Sequence, residues 1–275
     1  MPDKKLKVII LTHGGAERFL ELLAAVAEVE IVGIFVETAT VKERPFAEKV
    51  KRSIRYDGYF ATVNKLASKF LSSGNSGSDD ALAIEKGQDS LAECAARLSL
   101  PISKVADYHS EESIALLKAA KADLGILYGT NIVRESVFGI PKLGSINIHQ
   151  GLAPLYRGGP TVFWELLNGE KEVGITVHFV AAKVDTGDIV LQKTVPLDYD
   201  FNVYGFRYDE FLNDFRASMK EPSAQLLVEA VRQIAAGKEQ RTKQDTSLGK
   251  RYRLPVKTEK DQLLSILKKR HEGGR

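Results

Sequence analysis

Apolar positions at the start of the chain follow a strand pattern, then a helical one, then a strand pattern again. An apolar, partly β-branched run from Leu6 to Leu11 predicts a strand, and a histidine and two glycines at residues 13–15 predict the turn that closes it. Apolar residues then recur with helical spacing over residues 19–23, and a second apolar run over residues 30–36 predicts another strand. The short connections favour a parallel, buried sheet.

The alternation of helix and strand patterns resumes near residue 87. It predicts helices around residues 87–98, 110–120 and 161–167 and strands near residues 104–108, 123–129 and 145–149. Two further strand patterns, GITVHFV and DIVLQKTV, are joined by a short loop and predict antiparallel additions at the sheet edge. A helix over residues 208–236 is predicted to break or kink at Pro222 and to end at Gly237. The fold class is therefore α/β, with a doubly wound, mostly parallel sheet.

Residues 42–80 interrupt this pattern. Residues 42–70 are rich in Lys, Arg and aromatic side chains, and residues 72–80, SSGNSGSDD, have the composition of a flexible loop. We predict an inserted helical hairpin with a mobile tip. The basic and aromatic cluster around Arg52 and Tyr56 suits either an anionic substrate or a solvated amphipathic helix, and both interpretations stay open.

Charge separates the C-terminal residues from the rest of the chain. The chain has a net charge of +3, whereas residues 238–275 hold twelve Lys or Arg against five Asp or Glu. We therefore expect one domain over residues 1–237 followed by a basic C-terminal extension. The simplest interpretation of this extension is a solvated and partly frayed terminus, and binding to a phosphorylated partner is the alternative.

Cysteine content and the N-terminal residues bear on the cellular compartment. A single cysteine, Cys94, excludes an internal disulfide and a multi-cysteine zinc site, and its apolar surroundings predict burial. We expect no metal site. The first apolar run is too short for a signal sequence or a membrane span, so a cytoplasmic protein is expected.

Three polar residues fall where an open α/β sheet binds its ligands, beyond the carboxyl ends of the strands. Asn147 and His149 lie two apart in SINIH and share one face of the strand, and Asp185 lies in the tight turn KVDTGDIV. A side-chain amide stabilises an oxyanion and an imidazole moves protons, while a carboxylate beside the imidazole raises its pKa and orients it. Together they indicate carbonyl chemistry.

Other polar residues have weaker signals. Arg157, in the restricted loop QGLAPLYRGG, is either a hydrogen-bonding support of that loop or an anion clamp. His13, Gly14 and Gly15 form either a phosphate cradle at a helix N-terminus or a plain connection. His178 is expected to be a packing residue.

Residues 145–197 carry several motifs in a fixed order. These are NIH, a PxYRG-type loop, a helix followed by NGE, a GxTVH strand and a VDTGxI-type loop. The stretch closely resembles the core of the folate-dependent formyltransferases, the superfamily of the glycinamide ribonucleotide, methionyl-tRNA and sugar-nucleotide enzymes. Weaker similarity extends back to residue 1, apart from residues 41–80. The resemblance implies a Rossmann-like formyltransferase fold and a catalytic domain over residues 1–237.

The resemblance also implies residue roles. Asn147 would donate a hydrogen bond to the formyl oxygen as it becomes an oxyanion, His149 would act as acid or base, and Asp185 would pair with His149 or order a proton-carrying water. The formyl donor would be 10-formyltetrahydrofolate. Its pterin would lie beside the residues that match the family's pocket, which are Tyr128, Gly129, Ile132, Val180 and Val184.

The acceptor is expected to be a small amine, phosphorylated or nucleotide-linked, with an amino-sugar nucleotide as first choice. The 38 residues after Gly237 are too few for the β-barrel domain of methionyl-tRNA enzymes, and residues 13–15 depart from the phosphate loop of glycinamide ribonucleotide enzymes. Those two acceptors remain alternatives, as do hydrolysis of the donor and a non-catalytic folate-binding regulator. A nicotinamide enzyme is disfavoured because the full GxGxxG pattern is missing. No membrane or nucleic-acid partner is expected, and a homodimer is left open.

Overall fold

The computed structural model of the protein describes residues 5–38, 46–57 and 79–273. Seven strands form its main sheet: β1 (Leu6–Thr12), β2 (Val29–Glu37), β3 (Ile102–Val105), β4 (Leu124–Tyr128), β5 (Ser145–His149), β7 (Glu172–Phe179) and β8 (Ile189–Pro196). Two short strands, β6 (Tyr156–Gly158) and β9 (Lys250–Tyr252), pair with each other in a second, parallel sheet.

The strand order of the main sheet is β3-β2-β1-β4-β5-β7-β8. The first five strands in this order are parallel, and β7 and β8 are antiparallel additions beside β5. The order reverses at β1, as in a doubly wound sheet, and both faces of the central strands are buried, so these strands have nearly continuous apolar sequences. The predicted fold class, including the antiparallel edge, is confirmed.

Ten helices lie in the described parts of the chain: α1 (Glu17–Ala24), α2 (Phe46–Asp57), α3 (Asp79–Arg97), α4 (Glu111–Ala119), α5 (Glu135–Phe138), α6 (Phe163–Asn168), α7 (Phe201–Tyr204), α8 (Tyr208–Ser218), α9 (Lys220–Ala235) and α10 (Lys257–Gly273). Alternate β1 residues face different cores, since Val8 and Ile10 pack with α1, α3 and α9, whereas Ile9 and Leu11 pack with α4 and α5. None of these helices is long and apolar enough to cross a membrane.

The predicted helix over residues 208–236 is interrupted, but at Met219 rather than at Pro222. A proline has no N–H to donate to the carbonyl of residue i−4, here Ser218, and its ring clashes with that carbonyl. The break therefore lies one turn before the proline, and Pro222 itself occupies the first turn of α9. Gly237 adopts a φ of +63° and ends α9 as predicted.

Two predicted boundaries were wrong and one prediction lies mostly outside the described residues. The third strand is Ile102–Val105, not residues 104–108, and Tyr108 lies in the turn beyond it with its hydroxyl 2.8 Å from the carbonyl oxygens of Thr12 and Phe35. The helix predicted over residues 87–98 begins at residue 79. Residues 46–57 are helical, as expected for the insertion, whereas residues 58–78, which include most of the tip predicted at residues 72–80, are not described.

The basic C-terminal extension is ordered through residue 273, so the expectation of a frayed terminus was wrong. Leu263 and Leu267 of α10 are fully buried in a core cluster that also contains Phe163 and Leu166 of α6. Their spacing of four residues puts both leucines on one helix face. The prediction considered only the net charge of the extension and therefore missed this apolar helix face.

Shortening a buried leucine of α10 should show how much the packing of this helix contributes to the stability of the protein. We expect Leu267→Ala to lower the free energy of unfolding by about 2–5 kcal/mol, the usual cost of deleting a buried leucine side chain. Leu116→Ala, at a position that is 44% exposed, is the matched control and should change it by less than about 1 kcal/mol. Urea unfolding measures both. Equal, small effects would mean that α10 does not dock as described.

Candidate active site

Asn147 and His149 lie at the carboxyl end of β5, and Asp185 lies in the loop between β7 and β8. Strand β7 ends opposite Ile146, near the amino end of β5, and the loop that follows it folds back so that Asp185 approaches His149. The loop is tight: Asp185 has a φ of +52°, and a Cβ atom at Gly187 would overlap the carbonyl oxygen of Phe179. The three residues that the sequence singled out therefore meet at one place.

The hydrogen bonds of His149 define which ring nitrogen is basic. Its Nε2 lies 2.8 Å from the carbonyl oxygen of Tyr156, which only accepts, so Nε2 carries the hydrogen. Nδ1 then holds the lone pair and lies 3.6 Å from Asp185 Oδ2. Burial lowers the pKa of His149, and the charge of Asp185 opposes that shift. The neutral ring can thus take a proton on Nδ1, beside a carboxylate.

Asp185 is held as a carboxylate although it is largely buried. Its Oδ2 accepts a hydrogen bond of 2.8 Å from the backbone N–H of Gly158, and its Oδ1 lies 3.4 Å from His178 Nε2. Burial by itself would raise the pKa of Asp185, but the contacts with His178, His149 and the Gly158 N–H outweigh it and lower the pKa to about 2.

His178, expected to be a packing residue, is buried but makes polar contacts within the site. It is the cross-strand partner of Asn147, and its Nε2 lies 3.4 Å from Asn147 Nδ2. Its Nδ1 lies 2.7 Å from the carbonyl oxygen of Phe179, so Nδ1 carries a hydrogen. Nε2 is free to accept from Asn147 or, when protonated, to donate to Asp185. Only the β5–β7 register identifies this role.

Two cavities meet at His149. The first, of about 320 Å³, is lined by all three candidate catalytic residues and by four of the five predicted pterin neighbours, Gly129, Ile132, Val180 and Val184. The fifth, Tyr128, lines the second cavity, which has a volume of about 680 Å³. Gly14, Gly15, His149 and Arg216 also line the second cavity. His149 therefore stands between two spaces, each large enough for part of a substrate.

His13 belongs to a polar cluster beside these cavities. Its Nδ1 lies 3.0 Å from the carbonyl oxygen of Gly129 and its Nε2 lies 2.8 Å from Glu37 Oε2. Glu37, Asp107 and His109 offer atoms close enough to share a metal ion. Each already has a protein partner, however: Glu37 accepts from the Tyr108 N–H, and the two nitrogens of His109 contact Asp107 and the Arg134 N–H. Hydrogen bonding accounts for this cluster.

Arg157 supports the loop that follows β5. Its guanidinium donates to three carbonyl oxygens, those of Pro154, Thr246 and Gly249, each at 3.2 Å. Of the two interpretations left open by the sequence, this geometry matches the hydrogen-bonding support.

Sequence comparison adds named relatives to this geometry. The family described as "Formyl transferase" matches residues 6–203. A methionyl-tRNA formyltransferase of Chlorobium chlorochromatii is 30% identical over 161 residues, which cover 58% of this chain and 48% of that protein. One from Roseiflexus sp. is 41% identical over 110 residues, 39% of this chain and 34% of that protein. The chain thus spans half or less of the length of these relatives.

Solved structures agree in fold. A 4-N formyltransferase from Francisella tularensis superposes with a TM-score of 0.54 and 19% identity, over 90% of this chain and 76% of that one. A glycinamide ribonucleotide transformylase from Symbiobacterium toebii gives 0.53 and 20%, over 85% and 89%. Because the family match spans most of the chain, including both β5 and the Asp185 loop, this chain belongs to the formyl transferase family.

Proposed function

We propose that this protein transfers a formyl group from 10-formyltetrahydrofolate to an amine. The observation that carries the proposal is the meeting of Asn147, His149 and Asp185 at the junction of two cavities. The smaller cavity would hold the donor and the larger one the acceptor, with His149 between them. Membership of the formyl transferase family supports this reaction class.

The chemistry follows from the hydrogen-bonding groups. The amine nitrogen attacks the formyl carbon, and the Asn147 amide donates to the oxyanion that forms. His149 Nδ1 removes a proton from the attacking amine, and Asp185 stabilises the resulting imidazolium. When the bond between the formyl carbon and the folate nitrogen breaks, His149 returns the proton to that nitrogen. His178 orients the Asn147 amide throughout.

The second cavity has the donors that an anionic acceptor needs. Arg216 and Lys220 bring positive charge, and Gly15 lies at the start of α1, whose N-terminus has no side-chain cap. Ser223 also lines this cavity, and its buried hydroxyl has no hydrogen-bond partner among the described residues. A buried hydroxyl without a hydrogen-bond partner is unfavourable, and an oxygen atom of a bound ligand could supply that partner. These groups support an acceptor that carries phosphate.

A third cavity, of about 670 Å³, adjoins the second and supports a nucleotide-linked acceptor. Both cavities are lined by Pro160, Asn213 and Arg216. The third also has aromatic walls, which suit a base or a sugar ring: Tyr56, Phe163 and Tyr208. An amino-sugar nucleotide would place its amine near His149 and its ring system here, so it is our first choice of acceptor.

Two other reactions use the same residues. The curated relatives named above are methionyl-tRNA enzymes, which makes charged initiator tRNA the second candidate acceptor. Hydrolysis of the donor would need only water in place of the amine. The deciding experiment follows release of tetrahydrofolate from the donor with amino-sugar nucleotides, glycinamide ribonucleotide, charged initiator tRNA or water alone. Donor binding without any turnover would instead favour a regulator.

Removing the base or the oxyanion donor should abolish most turnover. We expect His149→Ala to lower kcat by about 10²- to 10⁴-fold and Asn147→Ala by about 10²- to 10³-fold, the usual contributions of a general base and of one oxyanion donor. The tetrahydrofolate assay measures both, with His271→Ala on α10 as a control that should keep full activity. Near-normal kcat in His149→Ala would refute the mechanism.

The pH profile should report the proton acceptor. Because turnover needs neutral His149, kcat/KM should rise as pH increases through the lowered pKa of His149 and then level off. Asp185→Asn removes the charge that raises this pKa, so the acidic limb should move to lower pH while the plateau falls about 10²-fold or more. A limb that stays in place, or moves to higher pH, would contradict the pairing of Asp185 with His149.

If the acceptor is anionic, removing a positive charge from the second cavity should weaken binding of the acceptor but not of the donor. Lys220→Ala should raise KM for a phosphorylated acceptor about tenfold, as expected when one charge-assisted hydrogen bond is lost, and leave KM for the donor unchanged. Lys238→Ala, a lysine beyond the end of α9, is the matched control. Initial rates at varied acceptor concentration measure the effect. An equal rise in KM for both substrates would argue against an acceptor site at Lys220.

A further inference from the structure

We propose that residues 242–253 of the C-terminal extension form a positioning element of the active site, holding the strand whose backbone orients His149 and Asp185. The inference rests on the catalytic roles proposed above. The segment lies beyond residue 203, where the match to the formyl transferase family ends.

Strand β6 makes a backbone hydrogen bond to each member of the catalytic pair. The Tyr156 carbonyl accepts from His149 Nε2 at 2.8 Å, and the Gly158 N–H donates to Asp185 Oδ2 at 2.8 Å. The first contact selects the His149 tautomer, and the second helps to keep Asp185 ionised. A shift of this three-residue strand would thus disturb both groups at once.

Within the described residues, the strand partner of β6 is β9, which pairs Tyr156, Arg157 and Gly158 with residues 250–252. The Arg157 side chain adds hydrogen bonds to the Thr246 and Gly249 carbonyls. Both the backbone and a side chain of β6 are therefore held by the C-terminal segment. A three-residue strand gains little order from its own sequence, so these contacts contribute to holding it in position.

Aromatic contacts support the pairing. The rings of Tyr156 and Tyr252 stack with their centroids 5.1 Å apart and an interplanar angle of 9°. Trp164 Nε1 donates to the Arg253 carbonyl at 2.9 Å. Asn168 Nδ2 lies 2.9 Å from the Tyr156 hydroxyl and 3.2 Å from that of Tyr252. The segment thus packs against β6 and the adjoining helix α6.

Glycines allow the close approach. A Cβ atom at Gly158, where φ is +76°, would lie 2.6 Å from the Tyr252 carbonyl oxygen. One at Gly249 would overlap the Pro154 carbonyl oxygen and the Leu155 Cα atom. Side chains at these two positions would push the segment away from β6 and from Pro154 and Leu155 just before it.

The same segment also reaches the Asp185 loop. The buried Gln244 side chain donates to the Gly187 carbonyl at 2.6 Å, two residues beyond Asp185. Just before it, Thr242 and Ile189 exchange two backbone hydrogen bonds of 2.8 Å. The segment therefore contacts both loops that bear on the His149–Asp185 pair, and none of these contacts requires substrate.

The test compares Tyr252→Ala with Tyr252→Phe, which keeps the stacked ring, and with Leu248→Ala, a control at a position that is 65% exposed. We expect Tyr252→Ala to lower kcat about 10- to 100-fold, the effect of a small misplacement of catalytic groups, with less than about a threefold change in donor KM. Its acidic limb in kcat/KM should move to higher pH, because water reaching His149 relieves the burial that lowers its pKa. Tyr252→Phe and Leu248→Ala should match the wild type.

A second readout does not depend on activity. In NMR spectra of ¹⁵N-histidine-labelled protein, the Nε2–H signal of His149, identified by its loss in His149→Ala, should be sharp in the wild type and in Tyr252→Phe and weakened in Tyr252→Ala. If Tyr252→Ala does not fold, Gln244→Ala provides the same comparison with the loss of a single hydrogen bond. Unchanged kcat, pH profile and NMR signal in a folded variant would overturn the inference. A wild type that transfers no formyl group, yet shows the expected NMR changes, would overturn only the proposed function.

Discussion

The antiparallel pairing of β7 with β5 is the constraint on which the site depends. It sets Asn147 opposite His178 and ends β7 beside Ile146, from where the following loop folds back and brings Asp185 to His149. The β5–β7 register and the fold of the loop after β7 together bring these polar groups to one place. His149 lines both of the cavities that adjoin this place.

The burial of the Asp185 carboxylate explains why several polar groups surround it. A carboxylate removed from water is destabilised by several kcal/mol unless it is paired and hydrogen-bonded. Asp185 accepts a hydrogen bond from the backbone N–H of Gly158 and lies within 3.6 Å of His178 and His149. Burial also lowers the pKa of His149 and so favours the neutral ring that the proposed mechanism requires. Pairing therefore lowers the pKa of Asp185 despite its burial, whereas burial lowers the pKa of His149 despite the nearby charge. The carboxyl group is favoured in its charged form and the imidazole in its neutral form.

The C-terminal segment packs into the hydrophobic core and also contacts the loops around His149 and Asp185. Leu263 and Leu267 fix α10 on the same core cluster that contains Tyr156 and Trp164. The preceding residues then follow β6 and end at the Asp185 loop. Packing of a distant helix is thereby connected to the hydrogen bonds of His149. An extension recognised in the sequence by its charge contributes through its few apolar and aromatic residues.

The sequence by itself determined the α/β class, the central strands and the shared face of Asn147 and His149, because each follows from a period set by neighbouring residues. The order of motifs from SINIH to VDTG also singled out the three residues that lie together at the candidate site. Only the tertiary structure decided the cross-strand contact of His178, the tautomer of His149 and the pairing of β6 with β9. These depend on register and on contacts between residues far apart in the chain, which no local pattern encodes. The ordered C-terminal segment was missed for the same reason, since its net charge was visible in the sequence and its packing partners were not.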